Sequence, residues 1–95
     1  MIVLGKNRLI EFISKHGRAK KSLEKWLQVA EACQAKSPMD LRKTFNSVDP
    51  VPPQTVFDIA GNKYRLIARV DYENGVILIS HVLTHSEYDK NKWRV

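Results

Sequence analysis

Residues 62–89 read NKYRLIARVDYENGVILISHVLTHSEYD, and this stretch decides the fold because two strand-like segments flank one turn sequence. Glu73-Asn74-Gly75 separates the segments, and such a sequence between apolar runs is typical of a β-hairpin. The same stretch holds two arginines, two histidines and a lysine. So many cationic and titratable groups in one hairpin indicate that it carries the chemistry of the protein.

The strand before this stretch fixes a second hairpin. Thr55–Ile59 is rich in β-branched and aromatic residues, and Gly61-Asn62 is a preferred pair for a two-residue type II′ turn. That turn predicts Asp58 opposite Arg65 on one face. On the other face it predicts apolar pairs, so one face of the hairpin is apolar and the other is charged.

The turn at Glu73-Asn74-Gly75 has two interpretations with opposite consequences. A two-residue loop places His81 and His85 on the apolar face with Tyr64. A three-residue loop with a glycine bulge places them beside Lys63, Arg65 and Arg69, on a face shared with Ile77, Ile79 and Leu83. We favour the three-residue loop, because two imidazoles buried among apolar side chains would need hydrogen-bond partners.

The N-terminal half reads as a short strand followed by helices. Met1–Leu4 is the expected strand, Asn7 the expected N-cap of a first helix, and Gly17 its C-terminal stop. The second helix has an apolar stripe that contains Leu23, Trp26, Leu27, Ala30 and Cys33.

A third helix begins after Ser37, with Pro38 at its first position, and runs through Phe45. The prolines of Asp49–Pro53 then predict an extended linker. After Thr84 the strand pattern ends, and a short helical turn is expected with Thr84 or Ser86 as its cap. The sequence therefore predicts one α+β domain over residues 1–95, with N-terminal helices on one face of a small, mainly antiparallel sheet.

The charge of the chain indicates an anionic partner. Sixteen lysines and arginines against ten acids give a net charge of +6 and a pI near 9.7. Nucleic acid is the commonest anionic partner, and an acidic protein is the alternative. No apolar run approaches the roughly 20 residues that span a bilayer. The single cysteine, Cys33, excludes an internal disulfide and indicates a reducing compartment, the cytoplasm.

Acid-base and electrostatic chemistry is the chemistry that these residues favour. His81 and His85 lie roughly 13 Å apart on an extended strand, too far to share a metal ion. Cleavage of RNA through the 2′-hydroxyl needs a base, a cation for the phosphorane and an acid for the leaving oxygen. Candidates for these tasks are Lys63, Arg65, Arg69, His85 and Tyr88. The structural alternative for Arg65 is an ion pair with Asp58.

The chain resembles the HigB toxins of bacterial toxin–antitoxin modules, within the RelE-like superfamily. The resemblance rests on Gly61-Asn62-x-x-Arg65 and on Thr84-His85-x-Glu87-Tyr88-Asp89, together with the order of helices and strands. It implies a ribosome-dependent mRNA endoribonuclease that works without a cofactor or a metal and is neutralised by a helix-turn-helix antitoxin of the HigA kind.

By position, the resemblance implies that Arg65 binds phosphate and that His85 and Tyr88 transfer protons or stack on a base, with Lys63 as a further catalytic candidate. Arg69 and the basic tail are expected to bind RNA, and the tail consists of Lys90, Lys92, Trp93 and Arg94. The alternative function is a non-catalytic basic module that binds RNA or an acidic protein. In either case the N-terminal residues 1–36, with eight basic and three acidic residues and hence a charge of +5, are candidates for contact with ribosomal RNA.

Overall fold

The computed structural model describes residues 1–94, and Arg94 by its backbone alone. Five strands in the described residues form one sheet of order β1-β5-β4-β3-β2. They are β1 (Ile2–Leu4), β2 (Asp49–Val51), β3 (Gln54–Ile59), β4 (Tyr64–Asp71) and β5 (Val76–Thr84). Only β1 and β5 are parallel, and the other neighbouring pairs are antiparallel.

The helices are α1 (Lys6–Lys15), α2 (Lys20–Ala32), α3 (Pro38–Thr44) and α4 (His85–Asp89). Short 3₁₀ turns lie at Gly17–Ala19 and Lys92–Arg94. The first three helices lie on one face of the sheet and the last follows β5. The predicted α+β fold, with N-terminal helices on a mainly antiparallel sheet and a short C-terminal helix, is confirmed.

The main core lies between the sheet and the first three helices. α1 contributes Leu9 and Phe12, and α2 contributes Leu23, Trp26 and Ala30, as its apolar stripe predicts. The inward residues of the sheet complete this core, and they include Val3, Phe57, Ile59, Leu66, Ala68, Ile77 and Ile79.

The opposite face of the sheet, called the outer face below, has a smaller apolar cluster. Val56, Ile67 and Trp93 are buried there, and Leu83 and Tyr88 pack against them. The C-terminal segment therefore returns to cover the middle of the outer face.

The first helix begins one residue before the predicted cap. Gly5, not Asn7, occupies the N-cap position, with a φ of 86° that favours glycine. A Cβ at this position would lie 2.7 Å from the carbonyl oxygen of Ile79. The start of α1 is thus set by its close approach to β5, which local sequence does not reveal.

The predicted linker at Asp49–Pro53 is wrong in part, because Asp49–Val51 forms the edge strand β2 against β3. An edge strand tolerates proline, since one side of its backbone needs no partner in the sheet. The predicted third helix is confirmed: the Ser37 hydroxyl accepts a hydrogen bond from the Asp40 amide at 3.1 Å.

The hairpin of β3 and β4 has the predicted register. Asp58 lies opposite Arg65, Phe57 opposite Leu66, and Ile59 opposite Tyr64. The turn at Gly61-Asn62 therefore sets the side-chain faces of both strands.

The hairpin of β4 and β5 matches neither predicted loop. Asp71 pairs with Val76, which leaves the four residues 72–75 in the loop, and this pairing directs Ile77 and Ile79 into the main core. The placement of these two isoleucines on the charged face is therefore wrong. A bulge beside Ser80 then shifts the register, so that His81 pairs with Ile67.

The bulge inverts the faces of the second half of β5. Beyond it Leu83 pairs with Arg65 on the outer face, as predicted for that part of the strand. The Ser80 hydroxyl donates to the Ile67 carbonyl at 3.0 Å and ties the bulge to β4. Over residues 1–94 no helix is long and apolar enough to cross a membrane.

Candidate active site

The candidate site lies where the outer face of β4 meets α4. The cap of α4 explains why the strand ends there: the Thr84 hydroxyl accepts from the Glu87 amide at 3.3 Å, and Glu87 Oε1 accepts from the Thr84 amide at 2.9 Å. This reciprocal capping box satisfies amides that the short helix leaves unpaired. Of the two predicted caps, Thr84 is the one used, and His85 and Tyr88 are thereby fixed beside β4.

Arg65 is the most constrained cation of the site. Its Nη1 donates to the carbonyl oxygens of Asn62 and Tyr64 at 3.1 and 3.2 Å, and Nη2 donates to Asn62 Oδ1. Nε lies 3.1 Å from Asp58 Oδ1, so the predicted cross-strand ion pair is present. The residue is only 8% exposed. Its guanidinium therefore holds the backbone of the β3–β4 turn in place.

Tyr88 lies over this guanidinium. Arg65 Cζ is 5.1 Å from the centre of the Tyr88 ring, within the range of a cation–π interaction. The ring also stacks on Trp93, which follows α4 in the chain, at 5.0 Å and an angle of 13° between the planes. Trp93 Nε1 donates to the Tyr88 carbonyl at 3.0 Å. Tyr88 is therefore positioned by a charge and by an aromatic ring.

His85 is joined to the same turn through its backbone. Its amide donates to the Lys63 carbonyl at 3.0 Å, and its Nε2 lies 3.2 Å from Asp89 Oδ2 one helical turn later. The His85 side chain is about half exposed, at 48%. Among residues 1–94 the imidazole makes no hydrogen bond or ring contact with Arg65 or Tyr88. The carboxylate of Asp89 orients it at the surface instead.

The remaining predicted site residues differ in their distance from this centre, and Arg69 lines a separate cleft with Pro53 and Leu78. Four of them are exposed lysines or arginines, namely Lys63, Arg69, Lys90 and Lys92. Trp93 is 2% exposed and fills the outer-face cluster. The side chain of Arg94 lies outside the described residues. The structure thus brings Arg65, Tyr88 and Trp93 into contact and leaves the cations at the periphery.

His81 lies between this centre and α1, because it lines one cleft with Lys92 and Trp93 and another with residues of α1. Burial lowers its pKa first, and the charge of Arg8 lowers it further. Its Nδ1 is buried and has no hydrogen-bond partner among the described residues. The ring helps to line a cleft with residues of α1, and those residues were missed by sequence reasoning. A helical spacing places Arg8, Glu11 and Lys15 on one face of α1, which is the signal that could have found them.

Asn62 is the other residue that sequence reasoning missed as a site component. It holds Arg65 through both its carbonyl and its side chain. Its position in Gly61-Asn62-x-x-Arg65 was the available signal. Within residues 1–94, no group of three or more histidine, cysteine, aspartate or glutamate side chains is placed to hold a metal ion.

Comparison with known proteins identifies relatives over most of the chain. Residues 19–91 match the family model HigB_toxin, described as the RelE-like toxic component of a toxin–antitoxin system. The mRNA interferase HigB of Escherichia coli O6:H1 (strain CFT073) is 26% identical over 93 residues, which cover 95% of this chain and 90% of that protein. The mRNA interferase toxin HigB of Escherichia coli K12 is 37% identical over 57 residues, which cover 57% of this chain and 55% of that protein.

Proposed function

The chain belongs to the HigB_toxin family of RelE-like toxins, and on this premise we propose that it is an endoribonuclease that cleaves mRNA on the translating ribosome. Its relatives from two Escherichia coli strains carry the name mRNA interferase. The whole chain acts as one toxin domain, and its place of action is the cytoplasm, where mRNA is translated.

The contact between Arg65 and Tyr88 is the observation that carries this proposal. It joins the two sequence motifs, Gly61-Asn62-x-x-Arg65 and Thr84-His85-x-Glu87-Tyr88-Asp89, at one point of the surface with 5.1 Å between the guanidinium carbon and the ring centre. Their convergence on one place therefore supports a shared chemical task.

The proposed reaction is attack of the 2′-hydroxyl oxygen of the RNA on the adjacent phosphorus. The P–O bond to the 5′ oxygen breaks, which gives a 2′,3′-cyclic phosphate and a 5′-hydroxyl. One group takes the 2′ proton and another returns a proton to the 5′ oxygen. His85, oriented by Asp89, and the Tyr88 hydroxyl are the proton-transfer groups. Lys63 and Arg65 supply positive charge for the pentacoordinate phosphorane.

Arg65 acts on the phosphate from a constrained position. Three of its N–H groups donate to Asn62 and Tyr64, and its Nε faces Asp58. Lys63 is exposed beside the same turn, and its flexible side chain can stay in contact with the phosphate during the reaction. We therefore propose that Arg65 sets the local electrostatic potential and the position of the Tyr88 ring. Lys63 contacts the phosphate directly.

The exposed cations around this centre bind the RNA backbone in the proposal. Arg69, Lys90, Lys92 and Arg94 extend the positive surface, and Trp93 supports it from within. Contacts of this kind are independent of sequence and weaken as salt rises. The basic residues of the N-terminal 36 contact ribosomal RNA in the same manner.

The neutralising partner is an antitoxin, because the family description places this chain in a toxin–antitoxin system. We propose a helix-turn-helix antitoxin of the HigA kind. Co-expression of the neighbouring reading frame, followed by co-purification and a growth assay, tests this. A neighbouring protein without that fold that still restores growth would contradict the proposed class of partner.

Cleavage in a translating extract tests the enzymatic function. Wild-type protein is expected to cut a reporter mRNA during translation and to leave the same RNA intact when ribosomes are absent, with cut sites mapped by primer extension. His85→Ala and Tyr88→Phe are expected to slow cutting by about 10²- to 10⁴-fold. Lys43→Gln, which removes an exposed cation of α3, is the matched control and is expected to retain activity.

Equal cutting by His85→Ala and wild type would exclude the proposed catalytic group. Cleavage of free RNA as fast as cleavage during translation would contradict the proposed dependence on the ribosome. Measured unfolding midpoints of each variant separate loss of chemistry from loss of the fold.

A non-catalytic binding module is the second candidate, and the burial of Arg65 favours it. An arginine that is 8% exposed and whose guanidinium is engaged by Asp58, Asn62 and Tyr64 has a complete structural role without any substrate. This candidate predicts RNA binding and translation arrest with no new RNA ends. Sequencing of RNA ends from the same extract distinguishes the two functions.

A further inference from the structure

The cleft that His81 lines with residues of α1 lies between α1, the end of β5 and α4. Its volume is about 190 Å³, and its polar lining consists of Arg8, Glu11, Lys15, His16, His81 and Glu87. Phe12, Val82 and Leu83 give it an apolar floor. β1 pairs only with residues 76–78 of β5, so the strand edge beside this cleft is covered by α1 and not by another strand.

The polar groups of the cleft include both donors and acceptors. The Arg8 guanidinium and the Glu11 carboxylate make no hydrogen bond or ion pair among the described residues, and both are exposed. Glu87 is held in place by the cap of α4, and hydrogen bonds from Thr84, aided by the charge of His16, lower its pKa. The lowered pKa of His81 keeps its imidazole neutral at pH 7.

The charges of the cleft nearly cancel at neutral pH. Two cations, Arg8 and Lys15, face two carboxylates, Glu11 and Glu87. Such a balance gives a bare phosphate little net attraction, whereas a neutral molecule with alternating donors and acceptors finds partners for both. The volume is below the roughly 300 Å³ at which sites for drug-sized ligands begin, so the ligand is about the size of one heterocycle.

An aromatic side chain at the wall of the cleft suits a flat ligand. The His16 ring stacks on Phe12 with 4.5 Å between ring centres and 30° between the planes. Phe12 in turn meets Tyr64 edge to face at 5.5 Å, which anchors the pair in the main core. Unpaired RNA bases are recognised by stacking on such rings, histidine included, and by hydrogen bonds to their edges.

We propose that this cleft binds an unpaired guanine base of the RNA substrate. The inference rests on the proposed function and deepens it, because a base held here would fix which phosphate reaches His85 and Tyr88. Glu87 and Tyr88 are adjacent on α4, so the cleft and the candidate active site share that helix as a common wall. The distance along the RNA between the bound base and the cut is therefore constant.

Guanine is the base that fits this set of groups. Arginine donates two hydrogen bonds to the O6 and N7 acceptors of guanine, the commonest specific contact to a base. A carboxylate accepts from the adjacent N1–H and N2–H donors on the other edge. Adenine and uracil lack both of these paired edges, and cytosine has neighbouring acceptors but no neighbouring donors. Arg8 is the donor in this arrangement and Glu11 the carboxylate.

Nucleotide titration followed by NMR tests the cleft directly. Guanosine 5′-monophosphate added to the full chain is expected to shift the ring signals of His16 and His81, and adenosine 5′-monophosphate, with the same phosphate, to shift them much less. Arg8→Gln and Glu11→Gln are expected to abolish the difference, whereas Lys43→Gln retains it. No shift, or equal shifts with both nucleotides, would overturn the inference.

Cut-site mapping provides the second measurement. The sites cut by wild type are expected to share a guanine at one fixed distance from the cut. Arg8→Gln is expected to reduce the preference for guanine over adenine at that position by roughly 5- to 150-fold. Cutting by wild type and Arg8→Gln with identical base preference would overturn the inference while the proposed function stands. Absence of any cutting by wild type would overturn the proposed function, and the titration would still decide the cleft.

Discussion

The two faces of the sheet are built on different principles. The helix-covered face buries a continuous apolar core that includes Leu23, Leu66 and Ile77, each with no exposed surface. Among the described residues, the outer face buries one charged side chain, that of Arg65, at the edge of a small cluster around Ile67. The first face is stabilised by area removed from water, and the second by directed polar contacts to a few groups.

In the proposed function this difference separates stability from chemistry within one small sheet. A charge held in low-dielectric surroundings acts strongly on nearby groups, but it contributes little net free energy to folding. The outer face can therefore hold Arg65 and Tyr88 in fixed positions because the helix face supplies the stability. Each of the following variants tests one side of that division.

Leu23→Ala has the largest expected effect and tests the helix face. Removal of a fully buried leucine side chain from α2 leaves a cavity and is expected to lower the free energy of unfolding by about 2–5 kcal/mol. Cleavage per folded molecule should stay at the wild-type rate. Chemical denaturation and an activity assay at low temperature measure both, and a specific loss of cleavage by the folded fraction would break the proposed division.

Arg65→Lys tests the outer face with a smaller effect on stability. Lysine retains the charge but cannot bind Asn62, Tyr64 and Asp58 with one planar group. Because Asp58 is partly exposed, the expected loss is about 1–3 kcal/mol in place of the full value of a buried pair. Cleavage should fall more than stability does. If the variant cleaves RNA and resists denaturation as well as wild type does, Arg65 has neither the structural role nor the role in cleavage proposed for it.

Thr84→Ala tests the junction of β5 and α4, where the two faces of the sheet meet the candidate active site. It removes the hydroxyl that caps α4 and is expected to cost about 1 kcal/mol. Without the cap the N-terminus of α4 no longer holds His85 and Tyr88 in position, so cleavage should decline. The core on the helix-covered face should be unchanged. Hydrogen exchange localises the effect, which should be confined to residues of α4. Thr84→Ser keeps the hydroxyl and is the matched control.

Acidification has the smallest expected effect and acts through Glu87. The cap lowers the pKa of this carboxyl below its ordinary value of 4.5, so its stabilisation is complete above that pH and is lost as the pH falls through the lowered pKa. The stability difference between wild type and Glu87→Gln should therefore shrink between neutral pH and pH 3. A difference that is constant over this range would contradict the role of the ionised cap.

Local sequence was sufficient wherever a turn or a cap determined the structure. Gly61-Asn62 set the register that joins Asp58 to Arg65, and Ser37 and Thr84 start the helices they were predicted to start. It failed at Gly5, where the helix start depends on contact with Ile79. It also failed at Asp49–Val51, because an edge strand is defined by its neighbour and its own prolines obscure it.

The largest failure concerns β5, and its cause is the composition of that strand. Six of the nine residues of VILISHVLT are apolar and they occur in consecutive runs, so alternation does not indicate which side faces the helices. A four-residue loop and the bulge at Ser80 together place the isoleucines inside and Leu83 outside. One extra residue inverts every face beyond it, so only packing against both layers decides the outcome.

The sequence by itself determined the fold class and the family, because these depend on short motifs, apolar patterns and local turn chemistry. Its assignment of active-site residues stays a prediction. The tertiary structure alone decided that Arg65 is buried beneath Tyr88 and that α1 forms a cleft with His81. Both depend on segments distant in the chain, which meet only when the apolar faces are buried together. In the proposed function residues 62–89 carry the chemistry, and packing against the helices decides how those residues are placed.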